Sequence, residues 1–210
     1  MQKISLKKYI LPGSLRYLGK LCPNISPSSI PIAGYTYYEI TKKINGEAYQ
    51  IGSIKVKNAF IVIKGNARFL YVRPKYSTYR KAAERVFSKI NWDIDYDHAL
   101  SKRIAMQASP TYKYILLLRV PPSVNRQHGS FEKKDNLLKK SPSFCFADDR
   151  ILDKWLARPP KARNRSNHVM SGYSQNNITK YGLTLKQRGQ WAYAIGIGDE
   201  NLVINFLQKI

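Results

Sequence analysis

The chain has 210 residues, of which 36 are lysine or arginine and 13 are aspartate or glutamate, so its formal net charge at pH 7 is +23. A hydrophobic content of 43% is enough to build a core, which excludes a disordered basic tail. The excess of positive charge favours a polyanionic partner, and the phosphate backbone of DNA or RNA is the expected one, because lysine and arginine displace its counterions.

Neither a membrane nor an oxidising compartment is expected. The N-terminal residues have no apolar run of signal-peptide length, no later stretch approaches a transmembrane span, and no long amphipathic basic helix suits a membrane surface. The only cysteines, Cys22 and Cys145, lack the paired spacing of a zinc site or a disulfide framework. These features predict a cytoplasmic protein without a membrane partner.

Residues 34–73 alternate in the manner of strands and are interrupted by turn signals. A strand over 35–40 is followed by Asn45-Gly46, which is a favoured two-residue hairpin turn. Strands over 59–63 and 69–72 are separated by Lys64-Gly65-Asn66. The pattern predicts an antiparallel sheet of three to five strands.

Basic side chains recur beside tyrosines along this predicted sheet. A sheet that faces nucleic acid uses this mixture for phosphate contact and base stacking, although a solvated outer face would look the same. The residues concerned are Lys42, Lys43, Lys55, Lys57, Lys64, Arg68 and Arg73.

In the rest of the chain, the sequence pattern predicts helices around two further strands. A helix capped by Ser77 or Thr78 runs through Ile90, and the apolar stretch 112–120 reads as a strand buried on both faces, stopped by Pro121-Pro122. A short helix over 149–157, a basic irregular linker over 158–167 and two C-terminal helices, one beginning near 184 and one over 199–207, complete the prediction. The final two helices suit either a helical hairpin closing the core or a DNA-reading helix-turn-helix.

Carboxylates are concentrated in the middle of the chain. Seven of the thirteen acidic residues fall in 91–150, and Asp93, Asp95 and Asp97 alternate in a predicted strand that ends at His98. In such a basic chain these carboxylates repel one another unless a positive group lies among them, and a divalent cation is the obvious candidate. In a strand the three aspartates share one face, and His98 points to the other unless the strand ends there. Asp93 or Asp95 could instead form an ordinary cross-strand pair with Arg119 or Lys113.

The order of these residues resembles a known nuclease family. Asp97-His98 at a strand end, a second strand, and then Asn125 and His128 at the start of the next predicted helix are similar to the ββα-metal or His-Me finger nucleases, which include the HNH group. The resemblance covers 92–132. It implies an α+β protein in which a basic antiparallel sheet is followed by a ββα-metal-like unit and C-terminal helices, with parts at 1–90, 91–150 and 151–210 of one compact protein.

The resemblance also implies an endonuclease that hydrolyses DNA or RNA with one divalent ion, Mg²⁺ above all. His98 would be the general base, Asp97 one metal ligand and His128 the second, with Asn125 orienting the base. The interval from His98 to Asn125 is longer than in compact HNH domains, which suits relatives in which a helix asparagine binds the metal. Asn125 is then the ligand and His128 a phosphate contact, and both assignments stay open.

Further residues complete the predicted site. Asp95 is the reserve metal ligand, and Glu132 shares the helix face of His128 and could orient its imidazole. Nucleic-acid contacts are expected from Arg126, Lys102, Arg103, Arg163 and Arg165 in addition to the basic residues of the sheet.

Small, very basic nucleases often serve as toxins or anti-phage effectors, which implies a protein or ribonucleoprotein partner that controls activity. Two other functions remain open. One is a non-catalytic DNA- or RNA-binding subunit of a larger complex. The other is a metal-independent ribonuclease that uses His168 with Tyr173 for acid–base chemistry.

Overall fold

The computed structural model describes residues 30–65, 67–87, 89–132 and 142–147, the backbone of 7–9, and single positions at 151, 154–155, 157, 186–187 and 190–191. Side chains are described for all of these except 7–9 and 130–132. The predicted linker over 158–167 and the predicted helix over 199–207 lie outside the described residues.

Eight strands form one sheet, and four helices of six or more residues accompany it in the described part of the chain. The strands are β1 (Lys7–Tyr9), β2 (Pro31–Gly34), β3 (Glu47–Ile51), β4 (Ala59–Lys64), β5 (Ala67–Val72), β6 (Asp95–His98), β7 (Tyr114–Val120) and β8 (Phe144–Phe146). The helices are α1 (Tyr37–Ile44), α2 (Tyr79–Val86), α3 (Lys102–Gln107) and α4 (Pro122–Glu132). None of the described helices is long and apolar enough to cross a membrane.

The strand order is β1-β3-β4-β5-β7-β2-β8, with β6 paired to β7 beside this path. Every pairing is antiparallel except that of β1 with β3. The predicted α+β class with an antiparallel sheet is therefore confirmed.

Strand β7 organises the sheet because three strands pair with it. Ile115 pairs with both β2 and β5, and Leu117 pairs with both β5 and β6. A strand has only two edges, so β2 and β6 share the edge of β7 that lies opposite β5. The sequence predicted a strand buried on both faces here, and all seven residues of β7 are buried. The parts predicted at 1–90 and 91–150 thus share one sheet.

Two hydrophobic cores cover the two faces of the sheet. Alternation along β4 places Phe60 and Val62 in the first core, and Ala59 and Ile61 in the second. Helices α1 and α3 contribute Ile40 and Ile104 to the first core. Helix α2 covers the second core with a narrow apolar stripe, Ala82, Ala83 and Val86. Strand β4 is therefore covered on both faces, whereas four of the five residues of β3 are exposed or half-buried.

The predicted strand over 35–40 is wrong, because this segment enters helix α1. Thr36 caps the helix by accepting a hydrogen bond from the Glu39 amide at 3.2 Å, and its hydroxyl donates to the Glu39 carboxylate at 2.7 Å. Asn45 then ends the helix in the left-handed conformation, with φ 56°. Asn45-Gly46 is consequently a helix end and not a hairpin turn.

Gly46 is required where α1 meets the sheet. A Cβ at this position would lie 2.5 Å from the carbonyl oxygen of Ile63. Only glycine lets the chain pass this close to β4 before β3 begins. The second predicted hairpin forms as expected, since β4 and β5 pair along their whole length. The pairing runs from Ala59 opposite Val72 to Lys64 opposite Ala67.

Candidate nuclease site on the β6–β7–α4 unit

The strand–strand–helix unit expected from the resemblance forms over β6, β7 and α4. Strands β6 and β7 are antiparallel, with Asp95 opposite Val120 and His98 opposite Leu117. Pro121 ends β7, α4 begins at once with Pro122, and the helix returns to contact β6. The first strand and the helix of the unit are therefore neighbours in space.

Asp95 and Asn125 meet at the contact between β6 and α4. The Asn125 Nδ2 donates a hydrogen bond to the Asp95 Oδ2 at 3.0 Å, and both side chains are partly exposed. Rotation of the amide about its last side-chain bond presents its oxygen in place of its nitrogen at nearly the same position. Thirty residues separate this pair in the chain, and the strand–strand–helix connection brings them together.

Asp97 has a positive partner from outside the unit. The ammonium of Lys154, which is fully buried, lies 2.5 Å from the Asp97 Oδ2, and the Asp97 side chain keeps 20% of its exposure. The positive group beside the Asp97 carboxylate is therefore the Lys154 ammonium. This pairing occupies one oxygen of the carboxylate that the sequence assigned to the metal.

His98 lies on the other face of β6. It follows Asp97 in a regular strand, so its side chain points to the side of α2, where it meets the Tyr79 ring edge to face at a centroid distance of 4.8 Å. Only 6% of His98 is exposed. The structure does not bring this imidazole to the side of Asp95 and Asn125, so the predicted arrangement of base and metal ligands is not formed.

The environment of His98 favours the neutral imidazole. Burial lowers the pKa of His98 to about 3, with smaller contributions in the same direction from the cations of Lys102 and Lys154. The charged form would have to lose its hydration beside two ammonium groups. His98 is therefore an uncharged donor and acceptor throughout the physiological pH range.

The other predicted residues of α4 have different environments. His128 is fully buried and so cannot be a surface phosphate contact in this conformation, whereas Arg126 is exposed as expected for one. Glu132 is the last residue of α4, and its side chain lies outside the described residues. The suggested pairing of Asp95 with Arg119 does not form, because Arg119 is opposite Tyr96 and packs over the Phe87 ring at 4.3 Å.

The donors on β6 and α4 fit a divalent cation only in part. Within the described residues, no three histidine, cysteine, aspartate or glutamate side chains lie close enough together to hold a metal ion. The oxygens of Asp95 and Asn125 suit a hard cation such as Mg²⁺, which keeps several waters when few protein groups bind it. Of the two predicted ligands, Asp97 is paired with Lys154 and His128 is fully buried, whereas the reserve ligand Asp95 lies beside Asn125 and fits in part.

The predicted nucleic-acid contacts are spread over the surface. Lys57, Arg73 and Arg103 are exposed, and Lys64 and Lys102 are half-buried. The half-buried Arg68 donates from its Nη1 to the carbonyl oxygen of Val86 at 3.1 Å, so part of its guanidinium is committed to the end of α2. Arg163 and Arg165 lie outside the described residues, as do His168 and Tyr173 of the ribonuclease hypothesis.

Lys154 is the site residue that sequence reasoning missed. It lies within the helix predicted over 149–157 and received no role there. Lys154 lies three residues after Ile151 and directly before Trp155. Both of these apolar neighbours pack in or against the first core. A lysine on the apolar stripe of a short helix is the signal that could have identified it.

Comparisons with protein-family models, with curated proteins and with solved structures found no match to this chain.

Proposed function

We propose that the protein is a metal-dependent endonuclease of DNA or RNA, with its cation held by Asp95 and Asn125 of the β6–β7–α4 unit. The observation that carries the proposal is the 3.0 Å contact between these two side chains across the strand–helix junction. A helix asparagine is the metal ligand that the resemblance implies for one branch of the His-Me finger nucleases, and Asp95 of the first strand adds a carboxylate oxygen beside it.

Charge supports a polyanionic substrate at this site. The net charge of +23 attracts nucleic acid, and the exposed Arg126 lies one residue after Asn125 on α4. Asp95 and Asn125 are partly exposed, so a phosphate can reach them. The cysteine content of the chain agrees with a cytoplasmic place of action.

The residues of the unit have separable tasks in this proposal. A bound divalent ion would supply charge neutralisation at the phosphate and lower the pKa of a coordinated water. Asp95 and Asn125 provide oxygen donors, and Arg126 holds a neighbouring phosphate by its guanidinium. Lys154 fixes the Asp97 carboxylate and keeps β6 in place beneath the site.

Cleavage assays test the proposal with three variants. Purified protein is incubated with plasmid DNA and with total RNA in Mg²⁺ or in EDTA. We expect cleavage in Mg²⁺, none in EDTA, and a rate lowered by about 100-fold or more in Asp95→Asn and Asn125→Ala, since even outer-shell groups of metal sites contribute 10–100-fold.

Asp93→Asn is the matched control for Asp95→Asn. Asp93 is exposed, precedes β6 and differs from Asp95 by two positions, so the two variants change the net charge equally. Asp93→Asn should cut as fast as the wild type. Cleavage that survives EDTA, or an Asp95→Asn variant with wild-type activity, would exclude this mechanism.

A second candidate function is a non-catalytic nucleic-acid-binding subunit. The specific observation in its favour is that Asp97 is paired with Lys154 while His98 faces away from Asp95 and Asn125. This function predicts tight binding of nucleic acid in both Mg²⁺ and EDTA, with no cutting of either substrate.

A further inference from the structure

A second cluster of polar groups surrounds the N-terminus of α2, on the face of the sheet opposite Asp95 and Asn125. Tyr79 is the first residue of the helix, and three polar side chains are near it, two at its ring and one at its hydroxyl. The Lys102 Nζ lies 4.8 Å from the ring centroid, and the His98 ring lies beneath it. The Tyr79 hydroxyl is hydrogen-bonded to the Arg80 guanidinium, which raises the pKa of Arg80.

The helix end at this cluster lacks a side-chain cap. Thr78 occupies the N-cap position, but its hydroxyl makes no capping hydrogen bond. Of the first-turn amides of α2, which spans eight residues, that of Lys81 donates to the Thr78 carbonyl oxygen at 3.1 Å, which leaves those of Tyr79 and Arg80 for an anion. The helix dipole adds a partial positive charge. No acidic residue lies in this first turn.

His98 gives an independent indication of a ligand here. Its Nε2 is buried and has no hydrogen-bond partner among the described residues, while the whole side chain is only 6% exposed. A buried polar atom without a partner is costly, and a bound water, ion or ligand is the usual explanation. A neutral imidazole can carry its proton on Nε2 and donate it to an oxygen.

We propose that Arg80, Lys102 and the Tyr79 hydroxyl form a binding site for a backbone phosphate of the nucleic acid, at the N-terminus of α2. Two cations, a phenol and the first two amides of α2 lie there, and each of these groups donates hydrogen bonds to phosphate oxygens. Asp95 and Glu84 also act on Arg80 electrostatically and raise its pKa, each less than the Tyr79 hydroxyl does.

The position of β6 would let a single nucleic-acid chain reach both the cation site and the phosphate site. Strand β6 pairs with β7 and with no other described strand. Asp95 and Asn125 lie on one side of it, and Tyr79 and Lys102 on the other. The phosphate site rests on the proposed function for its substrate class, and it would hold the backbone on the far side of this strand from the cleavage site.

Binding without cleavage tests the phosphate site by itself. A fluorescently labelled 12-nucleotide single strand, as DNA and as RNA, is titrated in EDTA and its anisotropy is followed at several salt concentrations. For Arg80→Ala/Lys102→Ala we expect about tenfold weaker binding near physiological salt, and a salt slope smaller by about 1.4, because each lost contact removes about 0.7 for single strands.

Lys81→Ala/Lys89→Ala is the matched control, since both lysines are exposed and the variant loses the same two charges. Its binding should weaken far less than that of Arg80→Ala/Lys102→Ala. Equal weakening of the two double variants would overturn the phosphate site and leave only a diffuse effect of net charge. A protein that cuts nothing but distinguishes the two double variants would keep this site and refute the nuclease.

A second readout uses the histidine. Addition of inorganic phosphate should shift the imidazole resonances of His98 in the wild type, and Tyr79→Phe should weaken this response about threefold by removal of one donor. Unchanged His98 resonances at saturating oligonucleotide would also overturn the proposal.

Discussion

Replacement of Asp97 with asparagine is expected to lower the free energy of unfolding by about 3–5 kcal/mol. Lys154 is fully buried, and the variant removes the carboxylate that lies 2.5 Å from its ammonium. A buried charge that loses its counter-ion carries its full desolvation cost. For a chain of this size, the loss corresponds to a melting temperature lower by about 10 °C, which thermal unfolding followed by circular dichroism would measure.

The reverse variant provides the control. Lys154→Met replaces the ammonium with an apolar group of similar length and leaves Asp97, which retains 20% of its exposure, in contact with water. It should therefore cost less than Asp97→Asn, and the double variant should recover part of the loss. If Asp97→Asn is as stable as the wild type, the pairing of Asp97 with Lys154 is absent in solution.

Acidification is expected to destabilise the protein through His98. The folded-state pKa of about 3 lies below the ordinary value of 6.5, so the unfolded chain binds a proton between these pH values and the folded protein does not. The contribution of His98 is complete above pH 6.5 and is lost as the pH falls towards 3. At pH 4.5, two units below the ordinary value, the loss amounts to at most about 2.7 kcal/mol.

His98→Leu isolates this effect from the protonation of carboxylates. Urea unfolding at pH 7 and at pH 4.5 should give a smaller difference for the variant than for the wild type, since leucine does not titrate. Tyr79 packs against the imidazole, and Lys102 and Lys154 act on it electrostatically. All three residues are unchanged in the variant. An equal pH dependence in the two proteins, or a His98 resonance that titrates near pH 6.5, contradicts the buried neutral imidazole.

The sequence predicted the centre of the sheet because its pattern is unambiguous there. Strand β7 is almost wholly apolar, and β4 and β5 are joined by a glycine-containing turn. Helix α1 was missed because Tyr35 and Tyr37 alternate with Thr36 over a short window, and aromatic and β-branched residues favour strands. The capping pair Thr36 and Glu39, three residues apart, was the local signal that decides for a helix.

The candidate site could be predicted only in part. The carboxylate cluster suggested Asp95 as a reserve ligand and the resemblance suggested Asn125 as an alternative one, and the structure brings these two together. The pairing of Asp97 with Lys154 spans 57 residues and depends on how the segment after β8 packs, which local patterns do not encode. Strand alternation, already visible in the sequence, places His98 on the far side of β6.

Titration of Mn²⁺ into the purified protein, followed by electron paramagnetic resonance, shows directly whether Asp95 and Asn125 hold a cation. Binding does not require a substrate or a biological trigger. The proposed cation site predicts one bound ion per chain in the wild type and in Asp93→Asn, and loss of that ion in Asp95→Asn. A wild-type protein that binds no Mn²⁺, or an Asp95→Asn variant that binds it as well as the wild type, would contradict it.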